Sequence, residues 1–180
     1  HAPSYRKILD RVHARFLLGL TATPNRTDAG DILGLFDDFV AYEAGLGVGD
    51  ERGRLVPFAY YGVKDDIEYE NIPWRNGRFD PELLASAVQT MHRMERLWQA
   101  TQDHPGSRTL IFCCSISHAR FVKTWLSGQD LRVAAVFGAA DSADRSEALT
   151  RLGSGELDAV CAVDLFNEGV DVPEIDTVLF

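Results

Sequence analysis

Cysteine is scarce in this chain, and cysteine pairs at regular spacing are absent. The three cysteines, Cys113, Cys114 and Cys161, form an odd set without the spacing of a disulfide framework or a zinc site. All three lie in apolar runs, so we expect buried thiols in a reducing cytoplasm. The five histidines also lack metal-ligand spacing, and no metal ligand is predicted among them.

Long hydrophobic runs and a secretory leader are missing as well. No apolar run approaches the roughly 20 residues that cross a bilayer, and no signal peptide opens the chain. No membrane partner is therefore predicted. The composition, 46% hydrophobic and 25% charged, is that of a globular protein. Because the first residue is His1 rather than Met, we expect a fragment or a processed piece.

An excess of positive charge is lacking. The net charge of −9 weakens a nucleic-acid hypothesis without removing it, because local basic surface sets phosphate contact. The distribution is uneven: residues 1–27 hold five basic residues against Asp10 alone, whereas residues 141–180 hold ten acidic residues against two basic ones.

The chain also contains no phosphate-binding loop of the Gly-x-x-x-x-Gly-Lys-Ser/Thr type. The glycines at 45, 47 and 49 do not make a dinucleotide fingerprint, because Asp50 and Arg52 stand where a further glycine is needed. No Gly-x-Ser-x-Gly elbow is present, so Ser115, Ser117 and His118 do not predict a hydrolase.

What is present, in the second half, is a regular alternation of short apolar runs and amphipathic helices. The predicted strands lie at 109–113, 132–137, 159–163 and 177–180, and the predicted helices at 117–126 and 142–152. Strands alternating with helices indicate βαβ units and a parallel sheet. The predicted fold class is therefore α/β.

The first half is less regular. It predicts the end of a helix at 4–13, strands at 15–20, 39–43 and 58–63, and a short helix at 31–36. The glycine-rich stretch 45–57 is the candidate domain boundary, and residues 64–79 are expected to be an irregular surface segment. Asp80 as N-cap and Pro81 at the first helical position predict a long helix over 81–103. The apolar stripe of this helix favours packing against the second half of the chain over binding to a partner.

Three polar turns follow predicted strands. In the turn at 21–24, Thr21 and Thr23 either bridge neighbouring carboxylates or waters, or the turn is an ordinary strand-to-helix turn capped by Thr23 or Thr27. Gly138 and Arg145 either bring a phosphate to a helix N-terminus or form an ordinary turn with a solvated arginine. In the turn after 159–163, Gly169 permits close backbone approach and Asp171 offers a carboxylate to a ribose hydroxyl.

Taken in order, these segments resemble the superfamily 2 helicase and translocase motor. Residues 1–5 resemble the segment after the family's Asp-Glu-x-His box, and residues 20–24 are similar to its Ser/Thr-Ala-Thr motif. Residues 110–113 resemble the strand that opens the second RecA-like lobe, and Phe137-Gly138 with Arg145 resembles the His-Gly…Arg element. Residues 163–173 resemble the motif before the arginine finger, in a form similar to bacterial repair and restriction-type members.

The resemblance implies parallel sheets of RecA-like, P-loop NTPase-type lobes, the first only partial and the second mostly present. Residues 1–45 would end the first lobe, and residues 46–105 would form a connecting segment with an edge strand and the long helix. Residues 106–180 would form the second lobe, truncated before the arginine-finger motif.

The resemblance also implies an ATP-dependent motor that clamps ATP and Mg between two lobes and moves along nucleic acid, with DNA favoured over RNA and additional domains in the parent chain. By position, Thr21 and Thr23 would couple hydrolysis to movement. Gly169 and Asp171 would face the nucleotide. The contacts with nucleic acid would come from Ser115, Gly138 and Arg145. Two positions depart from the family: Val163 replaces a hydroxyl residue, and Phe137 replaces the histidine. Without the phosphate loop this piece alone is not expected to hydrolyse ATP. The alternative is a non-catalytic RecA-like module that docks nucleic acid or a protein.

Overall fold

Two compact units make up the chain, His1–Tyr60 and Tyr61–Phe180. The computed structural model describes residues 7–21, 33–45, 56–64, 66–75, 77–104, 106–166 and 172–180. In these ranges no helix is long and apolar enough to cross a membrane. No group of three or more His, Cys, Asp or Glu side chains able to hold a metal ion occurs in the same ranges.

The described part of the first unit has little regular structure. Residues 7–9 are helical and end in a turn, so the predicted helix end at 4–13 is found in part. Leu33–Phe36 forms a 3-10 helix inside the predicted helix 31–36. Phe36 packs directly on Gly19, where an added Cβ would lie 2.5 Å from the Phe36 ring carbon Cζ. Only glycine allows this close packing.

Three strands predicted in the first half, at 15–20, 39–43 and 58–63, are wrong. The structure shows no strand at these positions. Their large apolar side chains are exposed, with Phe16 at 77%, Phe39 at 74% and Phe58 at 74%. A strand needs a hydrogen-bonded neighbour for its backbone, and apolar composition alone supplies none.

A four-stranded parallel sheet forms the centre of the second unit. Its strands are β3 (Thr109–Phe112), β4 (Val133–Val136), β5 (Ala159–Ala162) and β6 (Thr177–Leu179). Their spatial order is β4-β5-β3-β6, and every pairing is parallel. The predicted α/β class and parallel sheet are therefore confirmed, and each of the four strands lies within its predicted range.

Helices cover both faces of this sheet. They are α1 (Pro81–Val88), α2 (Met91–Asp103), α3 (Ile116–Ser127) and α4 (Arg145–Ser154). Met94 of α2 is buried in one core cluster with Ile111 and Ala119. Leu152 of α4 is buried in the second cluster with Leu110. Because successive strand residues point to opposite faces, neighbours such as 110 and 111 enter different clusters. The predicted packing of the helical stripe on the second half is confirmed.

Side-chain caps set where the helices begin. Asp80 accepts from the backbone N–H groups of Glu82 and Leu83, both at 3.1 Å, and Pro81 follows it as predicted. The predicted single helix over 81–103 is broken, however, because Thr90 adopts extended backbone and accepts from the Arg93 N–H at 3.2 Å. Thr90 therefore caps a second helix, α2.

Residues 64–79, expected to be irregular, contain a 3-10 helix, Tyr69–Asn71, and a small hairpin. The hairpin consists of β1 (Trp74–Arg75) and β2 (Arg78–Phe79), paired antiparallel. Gly77 has a φ of +76°, which glycine adopts without strain. An Asn-Gly pair between two short runs is a strong hairpin signal, so this element could have been predicted.

Candidate functional site

The carboxyl ends of β3, β4 and β5 meet at one edge of the sheet, because the three strands are adjacent and parallel. In open α/β sheets this edge is where ligands bind. The loops leaving it contain Ser115 after β3, Gly138 after β4 and residues 163–166 after β5. The structure therefore brings together the predicted residues Ser115, Gly138 and Arg145.

The loop after β3 is organised by Ser115. Its hydroxyl is buried at 7% residue exposure and accepts from the His118 N–H at 3.1 Å, so it caps α3. It also shares a 2.9 Å hydrogen bond with the exposed hydroxyl of Ser117, which accepts from the Gln89 side chain at 3.1 Å. The Ser115 hydroxyl thus caps α3. The exposed serine beside it is Ser117, in the first turn of α3.

His118 and Cys114 form a second contact in this loop. His118 Nδ1 accepts from the Cys114 backbone N–H at 3.3 Å and lies 3.4 Å from its sulfur, which places the imidazole proton on Nε2. Burial, and then the positive charge of Arg93, lowers the pKa of His118 to about 4. Burial, followed by Cys113, raises the pKa of the Cys114 thiol. At neutral pH both groups are uncharged, so Cys114 is no thiolate nucleophile.

The loop after β4 is closed by its own hydrogen bonds. Ser142 Oγ accepts from the Phe137 N–H at 2.9 Å and donates to the Ala143 carbonyl at 2.9 Å. Gly138 is exposed, and an added Cβ there would meet no heavy atom within 4 Å. The protein's own packing therefore does not require glycine at this position, and the space above its backbone is open.

Arg120 of α3 ties this loop to the neighbouring helix. Its guanidinium donates to both carboxylate oxygens of Asp141, from Nη2 to Oδ1 at 2.8 Å and from Nε to Oδ2 at 3.1 Å. Its Cζ also lies 5.3 Å from the ring centroid of Phe137, within the range of a cation–π contact. The phenylalanine that replaces the family's histidine is thus covered by an arginine. Sequence reasoning missed Arg120, because its partners lie 17 and 21 residues away.

Arg145 links α4 to the loop after β5. It is exposed, begins α4, and places its Cζ 4.8 Å from the ring centroid of the buried Phe166. Asp164 and Phe166 both have positive φ, +52° and +67°. For a bulky residue such as Phe166 this is an unusual backbone conformation, and such residues cluster at functional sites.

The remaining predicted site residues cannot be placed at this edge. Thr23, Gly169 and Asp171 lie outside the described residues. Thr21 is exposed and belongs to the first unit. Val163, where the family has a hydroxyl residue, is buried at 8% exposure and carries no side-chain donor or acceptor.

The opposite, amino edge of the sheet is tied together by carboxylates. Asp176, before β6, accepts from the Ser107 N–H at 2.9 Å, the Ser107 hydroxyl at 2.7 Å and the Arg108 N–H at 3.2 Å. Asp158, before β5, accepts from Arg132 Nη2 at 2.6 Å and Nε at 3.0 Å. The hydrogen bonds from Arg132 lower the pKa of Asp158. These contacts join strand starts and explain part of the sheet's stability.

Several known proteins are similar to this chain. A 51.5 kDa protein of Lactococcus phage (isolate 7-9) is 20% identical over 96% of this chain and 38% of its own length. UvrABC system protein B of Legionella pneumophila (strain Corby) is 27% identical over 68% of this chain and 18% of its own length. A Saccharomyces cerevisiae protein with the provisional name ATP-dependent helicase IRC3 is 22% identical over 99% of this chain and 27% of its own length. The chain thus spans well under half of these relatives.

Among solved structures, the Hef helicase domain of Pyrococcus furiosus matches 57% of this chain and 20% of its own, with 21% identity and a TM-score of 0.37. The family model for the helicase conserved C-terminal domain matches residues 88–180, just over half of the chain. That range includes α2, the whole parallel sheet and the three loops of its carboxyl edge. The chain belongs to the helicase conserved C-terminal domain family.

Proposed function

We propose that this chain is part of an ATP-dependent helicase or translocase that couples ATP hydrolysis between two RecA-like lobes to movement on DNA. The observation that carries the proposal is that the family match over 88–180 coincides with three polar loops at the carboxyl edge of one parallel sheet. In the same proposal, residues 1–45 end the first lobe, 46–105 connect the lobes and 106–180 form the second lobe. A cytoplasmic location accords with the three free thiols.

On the nucleotide side, the proposal gives Gly169 and Asp171 the contacts with the ribose and the cleft. Both follow Phe166, whose ring is held under Arg145. ATP, when bound with Mg, supplies the free energy of phosphoanhydride hydrolysis. In this proposal most of the phosphate and magnesium ligands lie outside this chain, because it has no phosphate loop.

On the nucleic-acid side, the proposal gives the phosphate contacts to the start of α3, to the backbone at Gly138 and to Arg145. The open space above Gly138 lets a phosphate approach its backbone N–H. Because the Ser115 hydroxyl caps α3, Ser115 acts in this scheme by fixing the helix start. Arg145, at the start of α4, also contacts Phe166 in the loop after β5, so one side chain links the proposed nucleic-acid contact to the segment that precedes the proposed nucleotide contact.

Nucleic-acid-stimulated ATP turnover distinguishes the motor from a non-catalytic binding module. In the protein that carries this chain, we expect single-stranded DNA to raise the rate of ATP hydrolysis and Asp171→Ala to lower it. A protein that binds DNA but never hydrolyses ATP is the binding module instead.

The coupling role of the two threonines has its own test. Thr21→Ala combined with Thr23→Ala should leave ATP hydrolysis within about twofold of the parent and reduce strand separation roughly tenfold or more. A matched control is Thr124→Ala combined with Thr150→Ala, which removes two hydroxyls that bond only to helix carbonyls. Strand separation at the parent's rate by the Thr21/Thr23 variant contradicts this role.

A further inference from the structure

The β1–β2 hairpin places two arginines side by side outside the edge described above. Its antiparallel register pairs Arg75 with Arg78 and Trp74 with Phe79. Register partners point to the same face, and alternate residues point to opposite faces. One face of the hairpin therefore carries two arginine side chains, and the other carries two aromatic rings. In such pairs the Cβ atoms of the two residues are about 4.5–5.5 Å apart.

The aromatic face holds the hairpin to the rest of the unit. The Trp74 and Phe79 rings meet edge to face, with centroids 4.7 Å apart. The half-buried Phe79 also contacts the Tyr69 ring at 6.0 Å, and the Asp80 N–H donates to the Pro73 carbonyl at 2.9 Å. Trp74 remains 62% exposed, so only Phe79 anchors this face, and both arginines are exposed on the other.

Neither arginine is neutralised by a carboxylate in the described ranges. Asp66 pairs with Arg96 of α2 at 3.2 Å, Glu68 accepts from a nearby asparagine amide at 2.7 Å, and Asp80 caps α1. Glu70 and Glu82 are exposed and form no ion pair with the hairpin. Two like charges directly opposite each other on a hairpin are destabilising. An anion that bridges them removes that cost.

We propose that Arg75 and Arg78 form a fork that binds a phosphodiester group of single-stranded nucleic acid. The inference rests on the proposed function, because the polyanion is the strand on which the motor moves. Guanidinium groups bind phosphate oxygens in bidentate fashion. The turn at Gly77 and the pairing of Arg75 with Arg78 keep the two arginines opposite each other, where one phosphate can contact both. In a chain of net charge −9, this pair is a local basic feature that can attract a polyanion.

Salt-dependent binding tests the fork. The affinity of the protein that carries this chain for fluorescein-labelled oligodeoxythymidine is measured by anisotropy over a series of salt concentrations. Arg75→Ala combined with Arg78→Ala should weaken binding about tenfold and reduce the slope of log K against log salt by about 0.7, since the two arginines share one phosphate and each phosphate contact on a single strand contributes about 0.7. Arg75→Lys with Arg78→Lys should keep most of the slope and lose part of the affinity, because lysine keeps the charge without the fork.

A matched control is Arg11→Ala combined with Lys123→Ala, which removes two charges from exposed positions in other elements and should change the affinity less than the hairpin variant does. If the parent binds the oligonucleotide and the Arg75/Arg78 double alanine variant binds it with the same affinity and slope, the fork is refuted while the proposed function stands. Binding to polyglutamate is measured in parallel. If the Arg75/Arg78 double alanine variant loses binding to polyglutamate and keeps binding to the oligonucleotide, the two arginines bind an acidic protein partner, and the fork is refuted as well. A parent that does not bind the oligonucleotide refutes both.

Discussion

Arg120→Ala is the substitution that most directly probes the loop after β4. It removes two contacts at once, the paired hydrogen bonds to Asp141 and the guanidinium that lies 5.3 Å from the Phe137 ring centroid. Both contacts cross from α3 to the loop that contains Gly138. The loop keeps its internal bonds through Ser142. We therefore expect the fold to survive and the loop to loosen.

The expected loss of stability is modest. The Arg120 and Asp141 side chains are 52% and 60% exposed, so water and salt screen their ion pair. An exposed pair contributes about 0.2–1 kcal/mol, and an exposed cation–π contact about 0.5–1 kcal/mol. Arg120→Ala should therefore lower the free energy of unfolding by about 1–2 kcal/mol, a value built from these two ranges. Asp141→Ala loses only the ion pair and should lower it less.

Urea denaturation and amide hydrogen exchange measure the two effects. A double-mutant cycle of Arg120→Ala with Asp141→Ala should give a positive coupling energy, and amide exchange at Gly138 and Ala139 should accelerate. Arg132→Ala is the matched control, because it breaks a similar bidentate pair at the opposite edge of the sheet. It should leave exchange at Gly138 unchanged. Strict additivity in the cycle, or equal acceleration in the control, refutes the idea that Arg120 holds this loop.

Two predictions concern the amino edge of the sheet. Burial alone would raise the pKa of Asp176, but hydrogen bonds from Ser107 and its neighbours outweigh it and lower the pKa. The stabilisation by this carboxylate should therefore be present above about pH 4, near the unfolded value, and be lost as pH falls through the lower folded pKa. The gap in urea midpoint between the parent and Asp176→Asn should accordingly shrink from about pH 7 to about pH 3, and a gap that does not change with pH refutes the charge argument. Gly106→Ala would place a Cβ 2.5 Å from Asp176 Oδ1 and in closer collision with Thr177, so it should cost about 1–3 kcal/mol in urea denaturation. Gly62→Ala, which meets nothing within 4 Å, is its control and should cost little; equal losses in the two variants contradict the steric explanation.

The sheet and its helices could be predicted from the sequence because each element carries its own local signals. The β5 run is apolar throughout, and all four of its residues are buried. Asp144 and Asp80 sit where a side-chain oxygen can cap the next helix, and both do so. Alternating strands and helices then leave few topologies other than a parallel sheet.

Strands could not be predicted reliably in the first half because its apolar runs have no hydrogen-bonded partner strand among the described residues. Phe16 and Phe39 lie in apolar runs, yet the structure shows them exposed and outside any strand. In the connecting segment, Thr90 ends the predicted single helix and caps α2, although apolar residues at helical spacing occur on both sides of it. Helical periodicity does not detect such a break, because a capping side chain can restart a helix without shifting its buried face.

The site was predictable only as separate pieces. Ser115, Gly138 and Arg145 follow strands, so their position at the carboxyl edge follows from topology. What each side chain contacts does not follow, because the Arg120–Asp141 and Arg145–Phe166 contacts each join positions 21 residues apart. The structure also shows the charge of Asp141, close to Gly138 in the same loop, paired with Arg120.

The backbone at Phe166 shows how the two proposed ligand loops are joined. A bulky residue at φ +67° is disfavoured by about 1–3 kcal/mol, so it persists only where packing fixes it. Here the ring is buried in the core cluster with Leu152 and Val160 and is covered by Arg145 at the start of α4. The conformation of residues 163–166 therefore depends on the position of α4. Removal of the Arg145 side chain should therefore loosen Phe166, which precedes the segment 167–171, without removing the contacts that its ring makes in the core cluster.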